Sequence, residues 1–256
     1  EVLCMMIGVS PDHIPIFERA TIDISLMKAD PLEPGIPRLR EALQTLKDYG
    51  TALVDNELET PKGGFVDALR SDDGEGRLSR EEQIWQIAGL LFTGHDTTRF
   101  ALAAAVRDLV EQGAWAEVAA DPALIPAAVD ESFRWSPTAM VVTRKVVADD
   151  VVLDGVPIPP DTLLRFNMFA VHRDPERFDR PNVFDLHRTE GRGVFPFGMG
   201  RHKCIGHLLA RTDIETALAV LMQRIASPRF AAPVVMSPFT WALGGPEHVP
   251  VAFDPA

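Results

Sequence analysis

The segment best suited to chemistry is a glycine-punctuated loop, Phe-Gly-Met-Gly-Arg-His-Lys-Cys-Ile-Gly, that contains a single cysteine. Gly198 and Gly200 can adopt backbone angles closed to other residues, and Gly206 allows the chain to approach a flat ligand closely. A helix with an apolar stripe is predicted over about 205–225, and the amides at its N-terminus favour the thiolate form of Cys204. Such a loop presents a sulfur end-on, as a metal ligand.

A second unusual stretch, Thr-Gly-His-Asp-Thr-Thr at 93–98, lies in the middle of the longest predicted helix. That helix begins at a capping box, Ser79 followed three residues later by Glu82, and ends near Gly113, a length of about 50 Å. Within it, glycine alone costs about 1 kcal/mol relative to alanine. Either the stretch is a polar kink in a buried helix, or a function other than helix stability requires these residues.

A charged pair lies on the helix predicted over 126–135. Glu131 and Arg134 are three residues apart, so they share one face of that helix. An exposed pair of this kind is a surface contact worth about 0.2 to 0.5 kcal/mol. The flanking aromatic residues Phe133 and Trp135 leave burial open as the alternative, and a buried pair could not lose one partner without a large cost.

Signals for β-structure are confined to the second half of the chain, so the sequence predicts a mainly α fold with a small β part. β-branched residues mark a strand at 141–147, and an extended run at 162–168 marks another, with an Asp-Gly hairpin turn between them. The segments 239–243 and 249–253 are predicted to pair as a terminal hairpin around a Gly-Gly turn.

Composition narrows the function classes. The chain has 37 acidic and 25 basic residues, a net charge of −12, which argues against a nucleic-acid partner. A secretory signal, a transit peptide and a long uncharged apolar run are all missing from the sequence, so we expect a cytoplasmic location and no membrane partner. The two cysteines, Cys4 and Cys204, are far apart, and we expect no structural disulfide in a reducing setting.

The cysteine loop, written as Phe-Gly-x-Gly-x-His-x-Cys-x-Gly, resembles the ligand loop of the cytochromes P450, the haem-thiolate monooxygenases. The resemblance implies that Cys204 ligates the iron of heme b, in a loop that also supplies the cofactor-binding residues Phe197, His202 and Gly206. Arg144, on the first predicted strand, resembles the family arginine that reaches a haem propionate, and His202 resembles a second such donor. Taken alone, either residue is more often simply a surface residue.

The stretch at 93–98 resembles the family's oxygen site above the haem. The resemblance implies that Gly94 opens room for dioxygen, that Thr97 hydrogen-bonds its distal oxygen, and that Asp96 relays protons through water. Thr93 departs from the family pattern, which has alanine or glycine there, and we expect it to narrow or polarise the oxygen site.

Glu131 and Arg134 resemble a buried structural pair that the family carries on the proximal side of the haem, so burial is expected here. The chain departs from the pattern at Val183, where most relatives supply an arginine or histidine that completes the network. We therefore expect this network to be weaker or to be closed differently.

The resemblance extends over residues 1–256 and implies a single P450-like domain, the C-terminal two thirds of a fold truncated at its N-terminus. In the family, the remaining portion supplies most of one sheet, a lid over the pocket and a helix that grips the propionates. We therefore expect residues 1–256 alone to hold haem poorly.

The implied function is insertion of one atom of O2 into a small organic substrate, with electrons from NAD(P)H. We expect an electron donor of the ferredoxin and ferredoxin reductase type, docking on a basic stretch at 191–212 that contains no acid. Its cations are Arg192, Arg201, Lys203 and Arg211. Two alternatives stay open: a truncated, non-catalytic P450-like interaction protein or fragment, and a zinc site of His202, Cys204 and His207, which lacks a fourth ligand.

Overall fold

The computed structural model describes residues 1–24, 33–58, 60, 64–71, 74–75, 77–189, 194–237 and 243–256. The helices are α1 Val2–Ile7, α2 Ile14–Ile24, α3 Ile36–Val54, α4 Phe65–Ser71, α5 Arg80–Glu111, α6 Trp115–Ala120, α7 Ile125–Trp135, α8 Met168–Val171 and α9 His207–Met222. The strands are β1 Val141–Lys145, β2 Val152–Leu153, β3 Val156–Pro157, β4 Leu163–Asn167, β5 Ile225–Phe230, β6 Val235–Met236, β7 Pro246–His248 and β8 Val251–Pro255. The prediction of a mainly α fold with a small β part is confirmed.

The described residues form two compact units, 1–99 and 100–256. The prediction of a single domain over 1–256 stays a prediction. In the first unit α2 packs against α3. Its core consists of apolar side chains from α1, α2, α3 and the start of α5: Ile7, Phe17, Leu46, Leu53, Ile87 and Leu91. α1 and α2 are separated near Ser10, where the Asp12 N–H donates to Ser10 Oγ at 3.2 Å and starts a new turn.

The long helix α5 starts and ends where the sequence predicts. The Ser79 N–H and hydroxyl both donate to Glu82 Oε2 at 2.7 Å, and the Glu82 N–H donates to Ser79 Oγ at 3.3 Å. This is the reciprocal pattern of a capping box. At the other end Gly113 has a φ of +69°, the left-handed conformation that commonly follows a helix.

The core of the second unit lies where α9 packs on α6 and α7. Its main members are Leu109, Trp115, Val118, Val129, Phe133, Ile214 and Leu218. The Trp115 Nε1–H donates to Ile225 O at 3.2 Å, so the buried indole is also hydrogen-bonded. Helix α9, which follows the cysteine, is therefore fixed along its buried face.

The predicted strands near the middle of the chain are confirmed. β1 pairs with β4 in antiparallel register, with Thr143 opposite Arg165. β2 and β3 are joined by Asp154 and Gly155, whose φ values of +49° and +77° suit a tight hairpin turn.

The predicted terminal hairpin is wrong in its pairing. β8 pairs with β5 and β7 pairs with β6, while Leu243 forms an isolated bridge with Ala139. Residues 238–242, which carry the rest of the predicted first strand, lie outside the described residues. Side-chain alternation identifies a strand but not its partner, and the partner of β8 comes from an earlier part of the chain.

Three short helices, α4, α6 and α8, are not predicted by the sequence pattern, because four to seven residues hold too few turns to show a period. Within the described ranges, no helix has the length and hydropathy that crossing a membrane requires.

Candidate active site

The cysteine loop, residues 194–206, is turned by two glycines. Gly198 and Gly200 have φ values of +66° and +76°, where a residue with a Cβ is strained, so the expected role of both glycines is confirmed. These turns fold the chain back until the Cys204 N–H donates to Phe197 O at 2.9 Å. The backbone at the cysteine is thus held by a hydrogen bond within the loop.

The sulfur of Cys204 is a free, exposed thiol. Three apolar residues near it in the sequence are also exposed: Met199 by 63%, Ile205 by 90% and Leu208 by 68%. A Cβ at Gly206 would lie 4.0 Å from Sγ, so this glycine lies directly beside the sulfur. Apolar surface exposed around a free thiol marks a binding site.

These features fit haem, which has an apolar ring, an iron that takes a thiolate ligand, and two propionates. The exposed apolar side chains match the ring, and Cys204 matches the iron. His202, in the turn Gly200–His202, and Arg144, on β1, are both exposed and are suitable donors for carboxylates. Arg144 Nη1 donates to Thr143 O at 2.9 Å. The guanidinium of Arg144 has other N–H groups that can donate to a ligand.

Helix α9 begins directly after the cysteine. Its N-cap is Gly206, which has no side chain to occupy the first amides, so the positive end of the helix faces the loop. The His207 Nδ1 lies 2.9 Å from Cys204 O, and since a carbonyl only accepts, the imidazole donates there.

The cysteine loop is anchored to α7 and to His172. The Phe197 ring packs edge-on against the buried Phe133 ring, with centroids 5.2 Å apart. The Phe195 N–H donates to His172 Nε2 at 3.1 Å, and Phe195 O accepts from the Gly198 N–H at 3.2 Å. The His172 ring is therefore connected to the turn at Gly198 by two consecutive hydrogen bonds through Phe195.

A buried ion pair supports the same region. Arg134 donates to Glu131 through Nε at 2.7 Å and Nη2 at 2.6 Å, and both side chains are buried, so the expected burial is confirmed. The other N–H groups of Arg134 donate to three carbonyls, those of His172 at 3.0 Å, Pro181 at 2.8 Å and Val183 at 3.0 Å. The guanidinium thus ties α7 to the segment that precedes the cysteine loop.

The network is closed differently at Val183, one of the two outcomes expected. The Val183 carbonyl accepts from Arg134 and also from Arg188 Nη2 at 2.9 Å. Arg188 Nε in turn lies 3.3 Å from Glu131 Oε2, and the Asp185 N–H donates to Glu131 Oε1 at 2.8 Å. Sequence reasoning missed Arg188 as the third charge, and its place five residues after Val183 is the signal that could have suggested it.

The stretch at 93–98 lies in the first unit. Its threonine hydroxyls donate to their own helix, Thr97 to Thr93 O at 2.6 Å and Thr93 to Gly89 O at 2.7 Å. Asp96 is buried, with only 1% of its surface exposed, and Arg99 Nη2 lies 3.2 Å from its Oδ1. Both hydroxyls thus find an acceptor on their own helix, and the backbone at the two threonines stays helical.

Gly94 is in close contact with α1. A Cβ built at this position would lie 2.6 Å from Leu3 Cδ2, so any side chain would displace the leucine. Close packing of two helices is therefore one reason for glycine here. The room that Gly94 leaves for dioxygen stays a prediction.

The basic stretch is smaller in the structure than in the sequence. Arg201 and Lys203 are exposed, but Arg211 pairs with Asp130 of α7 and with a glutamate one turn further along α9. Arg192 lies outside the described residues. The expectation that Arg211 contributes a free cation is wrong, because a helix from another part of the chain supplies the acid that the stretch itself lacks.

The zinc alternative gains no support from the geometry. Within the described part of the chain, no three or more His, Cys, Asp or Glu side chains cluster as a metal ion requires.

Comparison with known proteins identifies the family. The sequence profile of the family Cytochrome P450 matches residues 120–226. The chain is 32% identical over 240 residues to pentalenic acid synthase of Streptomyces avermitilis, covering 93% of this chain and 58% of that protein. It is 29% identical over 261 residues to luteothin monooxygenase of Streptomyces thioluteus, covering 100% of this chain and 63% of the relative.

The structural comparison agrees. Cytochrome P450 CYP109Q5 from Chondromyces apiculatus matches with a TM-score of 0.86 and 27% identity, over 100% of this chain and 63% of that structure. CYP164A2 of Mycobacterium smegmatis matches with a TM-score of 0.89 and 28% identity, over 98% and 66%. The chain belongs to the cytochrome P450 family, whose members carry haem iron as their cofactor. It spans about three fifths of the length of the curated relatives named above.

His172 is a second residue of the site that sequence reasoning missed. It is fully buried, and burial lowers its pKa to about 4, helped by the charge of Arg134. At neutral pH the ring is therefore uncharged, and its Nε2 lone pair accepts the Phe195 N–H. Protonation of Nε2 would remove that acceptor and add a charge beside Arg134.

We predict a stability loss in acid that depends on this histidine. The pKa is about 6.5 in the unfolded chain and about 4 in the folded one, so stability present above pH 6.5 is lost as the pH falls toward 4. The free energy of unfolding should fall by about 3 kcal/mol across that window. His172→Gln keeps an acceptor for Phe195 but cannot titrate, so denaturant unfolding should show a flatter pH profile. Identical profiles for both proteins would contradict the assignment.

Proposed function

We propose that the protein carrying this chain is a haem-thiolate monooxygenase that inserts one atom of O2 into a small organic substrate, using electrons from NAD(P)H. The observation that carries the proposal is the free, exposed thiol of Cys204 in a loop that two left-handed glycines and a buried network hold in place. A relative named as a monooxygenase supports the reaction class. Haem, when bound, supplies the chemistry that activates dioxygen.

Residues of the second unit hold the cofactor in this proposal. Cys204 would provide the sulfur ligand, and its thiolate would donate electron density to the iron. His202 and Arg144 donate to the propionates through charge-assisted hydrogen bonds. Phe197 fixes the loop against α7, and Gly206 leaves the side of the sulfur open.

In this proposal the stretch at 93–98 supplies protons. Thr97 would hydrogen-bond dioxygen as a donor, by turning its hydroxyl away from Thr93 O, which now accepts from it at 2.6 Å. Asp96 passes protons to Thr97 through water, as a general acid and base. Its burial removes it from bulk water, so proton entry depends on the groups that it contacts.

An acidic electron donor of the ferredoxin type fits the exposed side of the cysteine loop. Arg201 and Lys203 are exposed beside the residue that ligates the iron, so a donor bound there has a short path for electron transfer. Opposite charges favour that encounter, and salt screens it.

We predict that Cys204 determines the absorption spectrum. The reduced protein with carbon monoxide should show the strongly red-shifted Soret band of thiolate ligation, because Cys204 would supply a sulfur ligand to the haem iron. Cys204→Ala should lose this band entirely, while Cys4→Ala, at the buried thiol of α1, should keep it. A histidine-type spectrum in the wild type would contradict the proposal, and failure to take up haem would favour a non-catalytic relative.

We predict that Thr97→Ala takes up haem normally but releases several-fold more hydrogen peroxide per NAD(P)H consumed, because the hydroxyl that assists proton delivery is gone. Thr98→Ala, one residue further along α5, is the matched control and should stay close to the wild type. Equal peroxide release from both variants would assign Thr97 a packing role only.

We predict that Arg201→Glu slows reduction by a ferredoxin at low salt, because the encounter loses an attractive charge and gains a repulsive one. Arg229→Glu, at an exposed arginine of β5, is the control. Stopped-flow reduction rates at several ionic strengths measure the effect. A rate that changes with neither salt nor Arg201 would place the donor elsewhere.

A further inference from the structure

We propose that His95 is the group that hands protons to Asp96, accepting them at Nε2 and donating from Nδ1. The proposal rests on the proposed function, in which Asp96 supplies protons to the oxygen site. It goes beyond that function by assigning the residue through which protons reach a carboxylate that is itself buried.

The geometry places the His95 ring between two buried oxygen atoms and the surface of the first unit. His95 Nδ1 lies 3.2 Å from Asp96 Oδ1 and 3.1 Å from Thr21 Oγ1. Asp96 is 1% exposed and Thr21 is 0% exposed, whereas the His95 side chain is 25% exposed. One ring nitrogen therefore lies in the interior while part of the same ring reaches water.

The hydrogen bonds of Thr21 fix the tautomer of that ring. The Thr21 hydroxyl donates its single hydrogen to Glu18 O at 2.8 Å, so toward His95 it can only accept. The ionised Asp96 carboxylate is an acceptor as well. Nδ1 must therefore carry a hydrogen and share it between Thr21 and Asp96, which leaves the lone pair of the neutral ring on Nε2.

This tautomer suits a proton relay. A proton from water binds Nε2 and forms imidazolium, and the Nδ1 proton then moves to Asp96 Oδ1 along the 3.2 Å contact. The charge passes from the ring to neutralise the carboxylate, and no electrons are exchanged. The ring is then left with its hydrogen on Nε2. It returns to the starting form when the side chain turns out to water, loses that hydrogen and takes up another at Nδ1, after which Thr21 again selects this tautomer.

The charged groups of the neighbouring elements are accounted for. On α5, Arg99 Nη2 lies 3.2 Å from Asp96 Oδ1, so a cation lies beside the carboxylate that receives the proton. On α2, the charges of Arg19 and Asp23 pair with each other at 3.0 Å, and Asp23 also pairs with Arg38 of α3. Glu18 is the remaining charged residue of α2, and its backbone carbonyl accepts from the Thr21 hydroxyl. Asp96 is the acid that contacts the ring, at 3.2 Å.

The decisive variant is His95→Asn. The asparagine amide nitrogen takes the place of Nδ1 and keeps a donor for Thr21 and Asp96, but an amide cannot take up a second proton. A residue that only positions Asp96 would tolerate this change, whereas a relay would not. His187→Asn, at an exposed histidine paired with Glu117, is the matched control.

The haem-loaded protein is supplied with NADPH, a plant-type ferredoxin and its reductase. Peroxide released per NADPH is measured from about pH 6 to about 9. We expect His95→Asn to release several-fold more peroxide than the wild type, as Thr97→Ala does. Because the relay starts with a proton from water, wild-type peroxide should rise with pH, and the variant should show a flat profile. Wild-type behaviour in His95→Asn, with Thr97→Ala impaired, would overturn the relay and leave the proposed function standing. Wild-type behaviour in both variants would overturn the relay together with the proposed role of Thr97.

A second measurement does not depend on turnover. Nitrogen-15 NMR of the histidine rings in the ferrous carbon-monoxide form should show His95 with its hydrogen on Nδ1 at pH 8, and Thr21→Val should shift the ring toward the other tautomer. A wild-type ring that carries its hydrogen on Nε2 would overturn the relay, because Nδ1 could not then donate to Asp96.

Discussion

The buried pair of Glu131 and Arg134 is the constraint on which the second unit depends. Removing two charges from water costs several kcal/mol for each ion, so such a pair persists only if every remaining hydrogen-bonding group is also satisfied. Arg134 meets this demand with the carbonyls of His172, Pro181 and Val183. Satisfying the charge therefore fixes the path of the chain over the residues that lead into the cysteine loop.

From His172 the constraint reaches the sulfur through ordinary hydrogen bonds. The ring accepts from Phe195, whose carbonyl accepts from Gly198, and the glycine turns then bring Cys204 back to Phe197. The base of the loop is thus rigid, while the thiol and its apolar neighbours remain exposed. Exposed apolar surface is unfavourable in water, so the arrangement makes physical sense where a flat apolar ligand covers it.

Much of this could be predicted from the sequence, because the signals are local. The capping box of α5, the hairpin turn at Gly155 and the glycine loop each depend on a few adjacent residues, and the structure contains all three. The shared helical face of Glu131 and Arg134 is likewise a matter of spacing, although their burial was inferred from the family.

Contacts between distant segments could not be predicted in this way. Arg188 closes the ion-pair network, Asp130 neutralises Arg211, and Leu3 fills the space beside Gly94. No local sequence pattern indicates that these residues come into contact. The partner of β8 belongs to the same class, since strand alternation carries no information on pairing. Such contacts arise from packing, and they correct the sequence-based account mainly at charged and small residues.

The buried network holds the cysteine loop in position. Amide hydrogen exchange tests this most directly, because particular loop amides depend on the hydrogen bond to His172. In His172→Ala, the amides of Phe195, Gly198 and Cys204 should exchange much faster than in the wild type, while those in the middle of α9 should be unchanged. Wild-type protection of all three loop amides in this variant would contradict the account.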